Sequence, residues 1–474
     1  MASLVIPLSA PEANDAGRFG SKAATLAALA HAGLPTPGGW CAAADAYRAQ
    51  VAALGLDPCA QAAAEPQSAA SRRHALEMRL GLLEGALAPA VRDALLVAWR
   101  ALRADGRAAG AVRSSALVED LRDASYAGQF ESYLGLESEE DFITAVRACW
   151  AALWSPRVCR YMAGHGMHPS RTAMAVMIQP VIAARAAGGG LSRDGEGGML
   201  LTATPGLGGP VAQGAVVPER VVLDGAGAWL RSEPGRGGHR QGCIHDGAAE
   251  RAAPPAPASA ACLAPAQAAE LGAMMRRAEA ILGGPVEIEW ALGEAGPVLL
   301  QARPLRILPA PPRDPAGAGP VEPAERLGEA RKEHGREAQT EHGREAQIQL
   351  SREAREIRPH GAGLRGQPAG SGWGAGRACV VNCECELSRV APGDVLVTRV
   401  AGPALSSMLS RVAGVVAELG GSTSHLAALA RERGIPMVLG VPDATRRIPD
   451  GARVAVDGMA GLVRWGGAPD GSAI

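Results

Sequence analysis

Aromatic side chains are scarce, with three Phe and four Tyr among 474 residues, so the cores must be built largely from Ala, Val and Leu. An excess of either charge is also lacking. Lys and Arg total 47 against 48 Asp and Glu, a formal net charge of −1, which offers no electrostatic case for nucleic acid or an anionic membrane as partner. No apolar run approaches the roughly 20 residues of a membrane span. The start M-A-S-L-V-I-P has neither the basic residues nor the long apolar core of a signal peptide, so a cytoplasmic location is expected. Nine cysteines form an odd, scattered set without a framework, which predicts reduced thiols rather than disulfides. The strand-like V-V-N-C-E-C places Cys383 and Cys385 on one face near Cys379, but no second ligand cluster stands nearby to complete a metal site. His239, Cys243 and His245 read as part of a solvated loop over 225–259. Length leaves room for two to four domains.

What is present is most concentrated between Val415 and Val441. The pattern reads strand, turn, helix, strand: Val415-Val416 stops at Gly420-Gly421, Leu426, Ala427, Leu429 and Ala430 recur at helical spacing up to Gly434, and 435–441 resumes as a buried strand. Ser422, Thr423 and Ser424 supply hydroxyls where the helix needs an N-cap, so His425 falls in the first turn beside unpaired backbone N–H groups. Such a place suits an anion. A histidine carrying a phosphoryl group needs donors around three oxygens and close backbone approach, whereas a surface histidine needs neither, and the stretch alone leaves both readings open.

Near the N-terminus, Ser21 begins an Ala/Leu-rich helix that ends at Gly33, and Pro35 and Pro37 forbid its continuation. Lys22 therefore lies in a helix's first turn, either solvated or beside N–H groups as part of a phosphate site. Residues 59–107 read as helical, with Leu76, Leu80, Leu83 and Leu87 on one packing face. In A-V-R-S-S-A-L-V-E-D-L-R-D-A-S-Y-A-G-Q-F-E-S-Y, Arg113 ends a short apolar run and Gly128 stands in a polar loop. That is either a turn between strands or a phosphate cradle. Gln179, in the strand M-A-V-M-I-Q-P-V-I, reads as an amide in an edge strand. Two alternating strands joined by G-E-A-G form a hairpin whose Glu287 and Glu289 share a face, as do Gln301 and Arg303. Carboxylate and amide oxygens beside a guanidinium meet the needs of Mg²⁺ and a triphosphate, though such a face is also ordinary solvent surface.

G-G-S-T-S-H-L-A-A-L-A-R-E-R-G-I-P-M-V-L-G resembles, without gaps, the phosphohistidine segment of the phosphoenolpyruvate synthase and pyruvate phosphate dikinase family, which also includes rifampicin phosphotransferases. G-S-K-A-A-T-L with G-L-P-T-P-G-G-W, the Arg113 segment, C-W-A-A-L-W-S-P-R-V-C-R-Y-M, and E-I-E-W-A with L-Q-A-R-P resemble successive motifs of the same family's ATP-binding domain. The resemblance implies an α/β (α+β) fold. An ATP-grasp-like, two-lobed nucleotide-binding domain over 1–305 is followed by a Pro-rich, then charged linker over 306–360 and a small swivelling β/α phosphohistidine domain over 361–474. It implies ATP and Mg²⁺ as cofactors, with Lys22, Arg113 and Arg303 on the phosphates and Gly128 and Ser132 lining the nucleotide. Gln179 would contact the nucleotide, Glu289 and Gln301 would hold Mg²⁺, and His425 would accept the β-phosphoryl of ATP with release of AMP and phosphate.

The chain departs from the family in three places. Ser132 replaces the more usual threonine, S-G-V-M-F-T becomes A-G-G-G-L-S at 187–192, and G-L-G-E becomes G-L-G-G, so Gly209 replaces a carboxylate. The linker holds a tandem E-H-G-R-E-A-Q repeat, whose His334 and His342 read as solvated. Neither the α/β barrel of the phosphoenolpyruvate enzymes, on the order of 250 residues, nor the drug-binding domain of the rifampicin enzymes is expected. The acceptor is then a small molecule or a domain supplied in trans. A condensing ligase that activates its substrate by phosphorylation, and a non-catalytic nucleotide sensor, are the alternatives.

Overall fold

The computed structural model describes residues 3–62, 68–104, 109–119, 126, 128–194, 197–236, 261–305 and 363–466. Contacts divide the chain into two compact units. The first comprises Met1–Gly237, Pro254–Arg306 and Thr423–Leu429, and the second Gly238–Ala253, Ile307–Ser422 and Ala430–Ile474. The predicted linker over 306–360, with His334 and His342, lies outside the described residues, as do His239, Cys243 and His245.

The first unit carries two sheets, matching the expectation of an α+β fold with two lobes. The five-stranded sheet holds β1 (Val5–Pro7), β2 (Trp40–Ala42), β3 (Gly110–Ala116), β4 (Ser132–Leu136) and β5 (Met174–Pro180) in the order β1-β2-β5-β3-β4. The wholly buried run M-A-V-M-I-Q-P makes β5 the middle strand. The edge-strand reading of Gln179 is thereby corrected: the apolar run Met174–Ile178, within a strand buried along its whole length, needs cover on both faces, which an edge seldom has.

Seven helices accompany this sheet: α1 (Ala16–His31), α2 (Ala44–Ala53), α3 (Asp57–Ala62), α4 (Ala69–Glu84), α5 (Pro89–Ala104), α6 (Glu139–Ala152) and α7 (Pro156–Gly164). Helix α1 is broken at Gly20, whose φ of 77° and ψ of 161° are not helical, so a new first turn begins at Ser21 as the sequence implies. Phe19, Ala23, Leu26 and Ala27 of α1 form a core with Cys41 and Met177. On α4 the expected leucine face is wrong. Leu76 and Leu80 are exposed, while Ser71, Met78 and Leu82 are buried. Spacing of i, i+4 recurs on two faces of this helix, and the one carrying Met78 and Leu82 is the one that packs.

The six-stranded sheet holds β6 (Ala186–Leu191), β7 (Met199–Pro205), β8 (Glu219–Leu223), β9 (Trp229–Glu233), β10 (Val286–Gly293) and β11 (Gly296–Pro304), ordered β11-β10-β6-β7-β8-β9. Strand β9 pairs with β8, so the expected loop from 225 onward is in part a strand. The helices here are α8 (Gly209–Ala212) and α9 (Pro265–Leu282). Leu271, Met275 and Ala278 of α9 pack over Ile288, Trp290, Leu299 and Leu29. All three Phe, all four Tyr and six of the eight Trp fall in this unit, and Trp150, Trp290, Tyr126, Phe19 and Phe142 are among its largest fully buried side chains.

The third sheet is eight-stranded, with β12 (Leu364–Arg365), β13 (Gln367–Pro368), β14 (Trp373–Val381), β15 (Val395–Thr398), β16 (Gly414–Ala417), β17 (Met437–Leu439), β18 (Arg453–Asp457) and β19 (Leu462–Gly466). Strands β14, β15, β16 and β17 run parallel to their neighbours in that series. Its core is the aliphatic one the composition demands: Val380, Val395, Val397, Val416, Val438, Val454, Val456 and Val463, with Leu364 and Ile448. The helices α10 (His425–Arg433) and α11 (Ala444–Arg447) complete the described α-helices. One cysteine expectation fails here. Strand β14 ends at Val381, a 3₁₀ turn follows over Glu384–Arg389, and Cys383 and Cys385 form a disulfide. The turn lets two thiols two residues apart meet, which an extended strand does not allow, since it spreads them along its axis.

Candidate active site

The backbone around Lys22 is shaped by one serine. Ser115 of β3 donates its hydroxyl to the Phe19 carbonyl at 2.7 Å and accepts from the Ala23 N–H at 3.2 Å, so its side chain sits inside the break in α1. A Cβ on Gly20 would stand 2.3 Å from the Ser115 carbonyl oxygen, and only glycine fits there. With α1 restarted at this point, the Lys22 ammonium lies 2.7 Å from Glu119 Oε1. The Glu119 carboxylate, 1% exposed, is held from the other side by the Ala116 N–H at 2.9 Å.

The hairpin of β10 and β11 supplies the facing wall. Glu287 pairs in register with Arg303 and Glu289 with Gln301, so all four side chains share one face. Arg303 Nη2 lies 3.1 Å from Glu287 Oε1. Arg113, from the middle of β3, reaches across to this hairpin: Nη1 donates to the Leu300 carbonyl at 2.6 Å, and Nη2 donates to Glu289 Oε2 and Gln301 Oε1, each at 2.9 Å. Lys22, Arg113 and Arg303 thus each stand against a carboxylate. Burial pushes the Glu289 carboxyl upward, but Arg113, His425, Arg303 and Lys22 together hold it below its ordinary range.

His425 opens α10. Ser424 caps that helix, its hydroxyl accepting from the Ala427 N–H at 3.3 Å and its carbonyl from the Ala428 N–H at 3.0 Å. Within the first unit the half-buried His425 lies against Gly128. A Cβ on Gly128, where φ is +64°, would stand 2.8 Å from His425 Cβ. The neighbouring Thr423 hydroxyl is 2.5 Å from that of Thr202, and a Cβ on Gly189 would stand 2.6 Å from Thr423 Cβ. Burial pushes the His425 imidazole down to about 4; Glu289 and Glu287 oppose that shift, while Arg303 and Lys22 add to it. The imidazole is therefore neutral at pH 7, with a nitrogen lone pair available for attack.

Residues 16–316 match the family described as pyruvate phosphate dikinase, AMP/ATP-binding domain, and residues 390–461 match the PEP-utilising enzyme, mobile domain. The chain belongs to the pyruvate phosphate dikinase family. Its nucleotide-binding part is ATP-grasp-like. A probable phosphoenolpyruvate synthase of Methanothermobacter thermautotrophicus is 29% identical, over 97% of this chain and 63% of that protein. The phosphoenolpyruvate synthase of Pyrococcus furiosus is 28% identical, over 96% of this chain and 57% of that one. The chain thus spans about 57–63% of the length of these relatives. A solution structure of an Enzyme I (nEIt) protein is 33% identical over 17% of this chain and 33% of that one, with a TM-score of 0.16, too low to carry an argument. Among the described residues, no helix is long and apolar enough to cross a membrane.

Of the residues singled out in the sequence, Lys22, Arg113, Gly128, Glu289, Gln301, Arg303 and His425 converge. Gln179 and Ser132 stand beside this group without a side-chain hydrogen bond into it among the described residues. Gln179 is buried, and its amide donates to the Gly38 carbonyl at 3.0 Å. Ser132 is exposed at the start of β4, directly opposite Arg113. Gly209 opens α8 with no atom within 4 Å of a would-be Cβ, so the missing carboxylate leaves no packing defect.

Sequence reasoning missed Glu119, Ser115, Thr202 and Gly189. The V-E-D of the Arg113 segment contained Glu119 but gave no sign of its partner, which lies about a hundred residues earlier in the chain. The run Gly188-Gly189-Gly190 looked like loosened resemblance. Close backbone approach explains it better: Gly188 faces the Thr202 carbonyl, Gly189 faces Thr423, and Trp290 donates its indole N–H to the Gly189 carbonyl at 3.0 Å.

The donor set also fits the divalent ion that the family implies. Glu289 Oε2 and Gln301 Oε1 are hard oxygens already converging on a single cationic nitrogen, and hard oxygens are what Mg²⁺ takes.

Proposed function

We propose that this chain is an ATP-dependent phosphotransferase of the dikinase type, in which His425 carries a phosphoryl group derived from the β-phosphate of ATP. The net half-reaction is ATP, water and His425 giving AMP, inorganic phosphate and phosphohistidine. The bond between the α- and β-phosphates breaks, a bond from the imidazole to the β-phosphorus forms, and water accounts for release of the γ-phosphate. What supports this most is the meeting of a neutral His425, in the first turn of its helix, with the cluster of Lys22, Arg113 and Arg303.

In this reading Lys22, Arg113 and Arg303 bind the triphosphate, Gly128 permits close approach at His425, and Gln179 and Ser132 border the nucleotide. Glu289 and Gln301 would hold Mg²⁺, which when bound supplies positive charge against the phosphate oxygens. Each cation carries a carboxylate partner, so phosphate must compete with Glu119, Glu287 and Glu289 for it. A divalent ion taking Glu289 and Gln301 would release Arg113 toward the phosphates, which makes metal and nucleotide binding mutually supportive.

The domain assignment belongs to the same proposal: 1–305 for ATP, 306–360 as spacer and 361–474 as the phosphohistidine carrier. A cytoplasmic location and an acceptor that is either a small molecule or borne by a partner chain belong to it as well. The test is incubation with ATP and Mg²⁺ in the absence of any acceptor. A burst of AMP and phosphate, one of each per chain, with an acid-labile phosphoprotein, supports the proposal. ADP as the product, or no turnover, contradicts it.

A further inference from the structure

Away from the nucleotide site, α3 and α4 bring together three side chains that have no part in the reading above. The Cys59 thiol sulfur, a ring nitrogen of His74 and a carboxylate oxygen of Glu77 all lie within 4.8 Å of one another. His74 and Glu77 are three residues apart on α4 and so share a face, and Cys59 meets them from α3. Cys59 Sγ is 3.5 Å and His74 Nδ1 2.9 Å from the same Glu77 oxygen. The other carboxylate oxygen is turned toward Arg73, 3.6 Å from its Nε. Glu77 thus has one oxygen tied to a surface cation and one directed at a thiol and an imidazole.

We infer that Cys59, His74 and Glu77 form a three-ligand site for zinc or a similar borderline-soft divalent ion, clipping α3 to α4. The ligand types select the metal. Thiolate and imidazole are poor partners for Mg²⁺ or Ca²⁺ and good ones for Zn²⁺, which also accepts a carboxylate. The spacing agrees, since metal–ligand bonds of about 2.0–2.3 Å put ligand atoms roughly 3.3–3.8 Å apart in a tetrahedron. Of the two pairs on Glu77, that with Cys59 at 3.5 Å lies inside that range and that with His74 at 2.9 Å falls below it, and small side-chain rotations close the difference without moving either helix. Binding costs one thiol proton and, where the imidazole is charged, one from His74; both go to solvent, and the sulfur electron pair freed binds the metal. Glu77 is exposed and the other two half-buried, so the fourth position faces water. A six-residue helix such as α3 is not stable in isolation, and the ion would fix it to a longer neighbour.

The experiment uses the full chain, stripped of metal and titrated with Co²⁺ as an optical probe and then with Zn²⁺ in competition. The site predicts one Co²⁺ per chain, a thiolate-to-cobalt charge-transfer band bleached by Zn²⁺, and a thermal midpoint raised by Zn²⁺. Cys59→Ser abolishes the band, and Glu77→Gln weakens Zn²⁺ binding by at least about tenfold. The second variant keeps the shape of the side chain and carries the test if the first does not fold. Absence of the band in the wild-type chain, or its persistence unchanged in both variants, overturns the assignment. None of these readouts depends on turnover of ATP.

Discussion

Arg113 Nη2 is equidistant, at 2.9 Å, from Glu289 Oε2 and Gln301 Oε1. A guanidinium in that position occupies the point that two hard oxygens offer to a divalent ion, so arginine and metal compete for the same pair. Removing the arginine has opposite effects on the two ligands. In Arg113→Met, Mg²⁺ binding without nucleotide tightens by roughly tenfold, since a hydrogen bond to a charged group is worth about 1.5 kcal/mol or more. AMP formation falls at least about a hundredfold, because the charge released toward the phosphates is gone. Calorimetric titration with Mg²⁺ beside a turnover assay separates the two, and an unchanged metal affinity would dismiss the competition.

The Lys22–Glu119 pair tests the opposite wall. Glu119 is almost wholly buried and Lys22 largely so, and breaking such a pair leaves a charge without compensation, at a cost of about 3–5 kcal/mol. Glu119→Ala and Lys22→Met should each lower stability to chemical denaturation by an amount of that order. The double variant loses distinctly less than the sum of the two. Additive losses would show that the contact is incidental.

His425 makes a prediction about pH. Its folded-state pKa, pushed down to about 4, lies below the ordinary imidazole value of 6.5. Between the two values the unfolded chain holds a proton that the folded one lacks, so stability falls as pH drops through this window and levels off below it. His425→Ala flattens that slope. The neutral imidazole also stays nucleophilic, so initial labelling rates at about pH 5.5 and about pH 7.5 should agree within roughly threefold, where an unperturbed histidine would lose about tenfold. A titration midpoint near 6.5 by NMR would contradict the burial. Glu289→Gln removes an anion that favours the charged ring and moves the midpoint lower still.

Much of the site was legible because its signals are local. Alternation and the G-E-A-G connection placed Glu287, Glu289, Gln301 and Arg303 on one hairpin face, and the hydroxyls before His425 marked a helix start that Ser424 indeed caps. What failed depends on distant chain segments. The apolar run around residue 179 argues against an edge, but which strands flank it is decided by strand order, which nothing near residue 179 encodes. Leu76 with Leu80, and Met78 with Leu82, have equal claims as a helix stripe until α4 has neighbours. Glu119 and Thr202 acquire meaning only from Lys22 and Thr423.

Gly128 and Gly189 give a prediction that sequence resemblance alone does not. A methyl group on either meets His425 or Thr423 at under 3 Å, and at Gly128 the left-handed backbone adds about 1 kcal/mol of strain. Gly128→Ala and Gly189→Ala should cut labelling of His425 by more than about tenfold while leaving ATP affinity within about threefold. Equal loss of nucleotide binding, read by equilibrium dialysis, would assign these glycines to the nucleotide instead.

The most direct measurement is transfer of label from ATP carrying the isotope at the β- or at the γ-phosphate, in the presence of Mg²⁺, to the wild-type chain and to His425→Ala. The account predicts acid-labile label from β-labelled ATP alone, none in the variant, and nucleotide affinity in the variant close to that of the wild type. Label retained in His425→Ala, or stable label arriving from the γ-position, would contradict it.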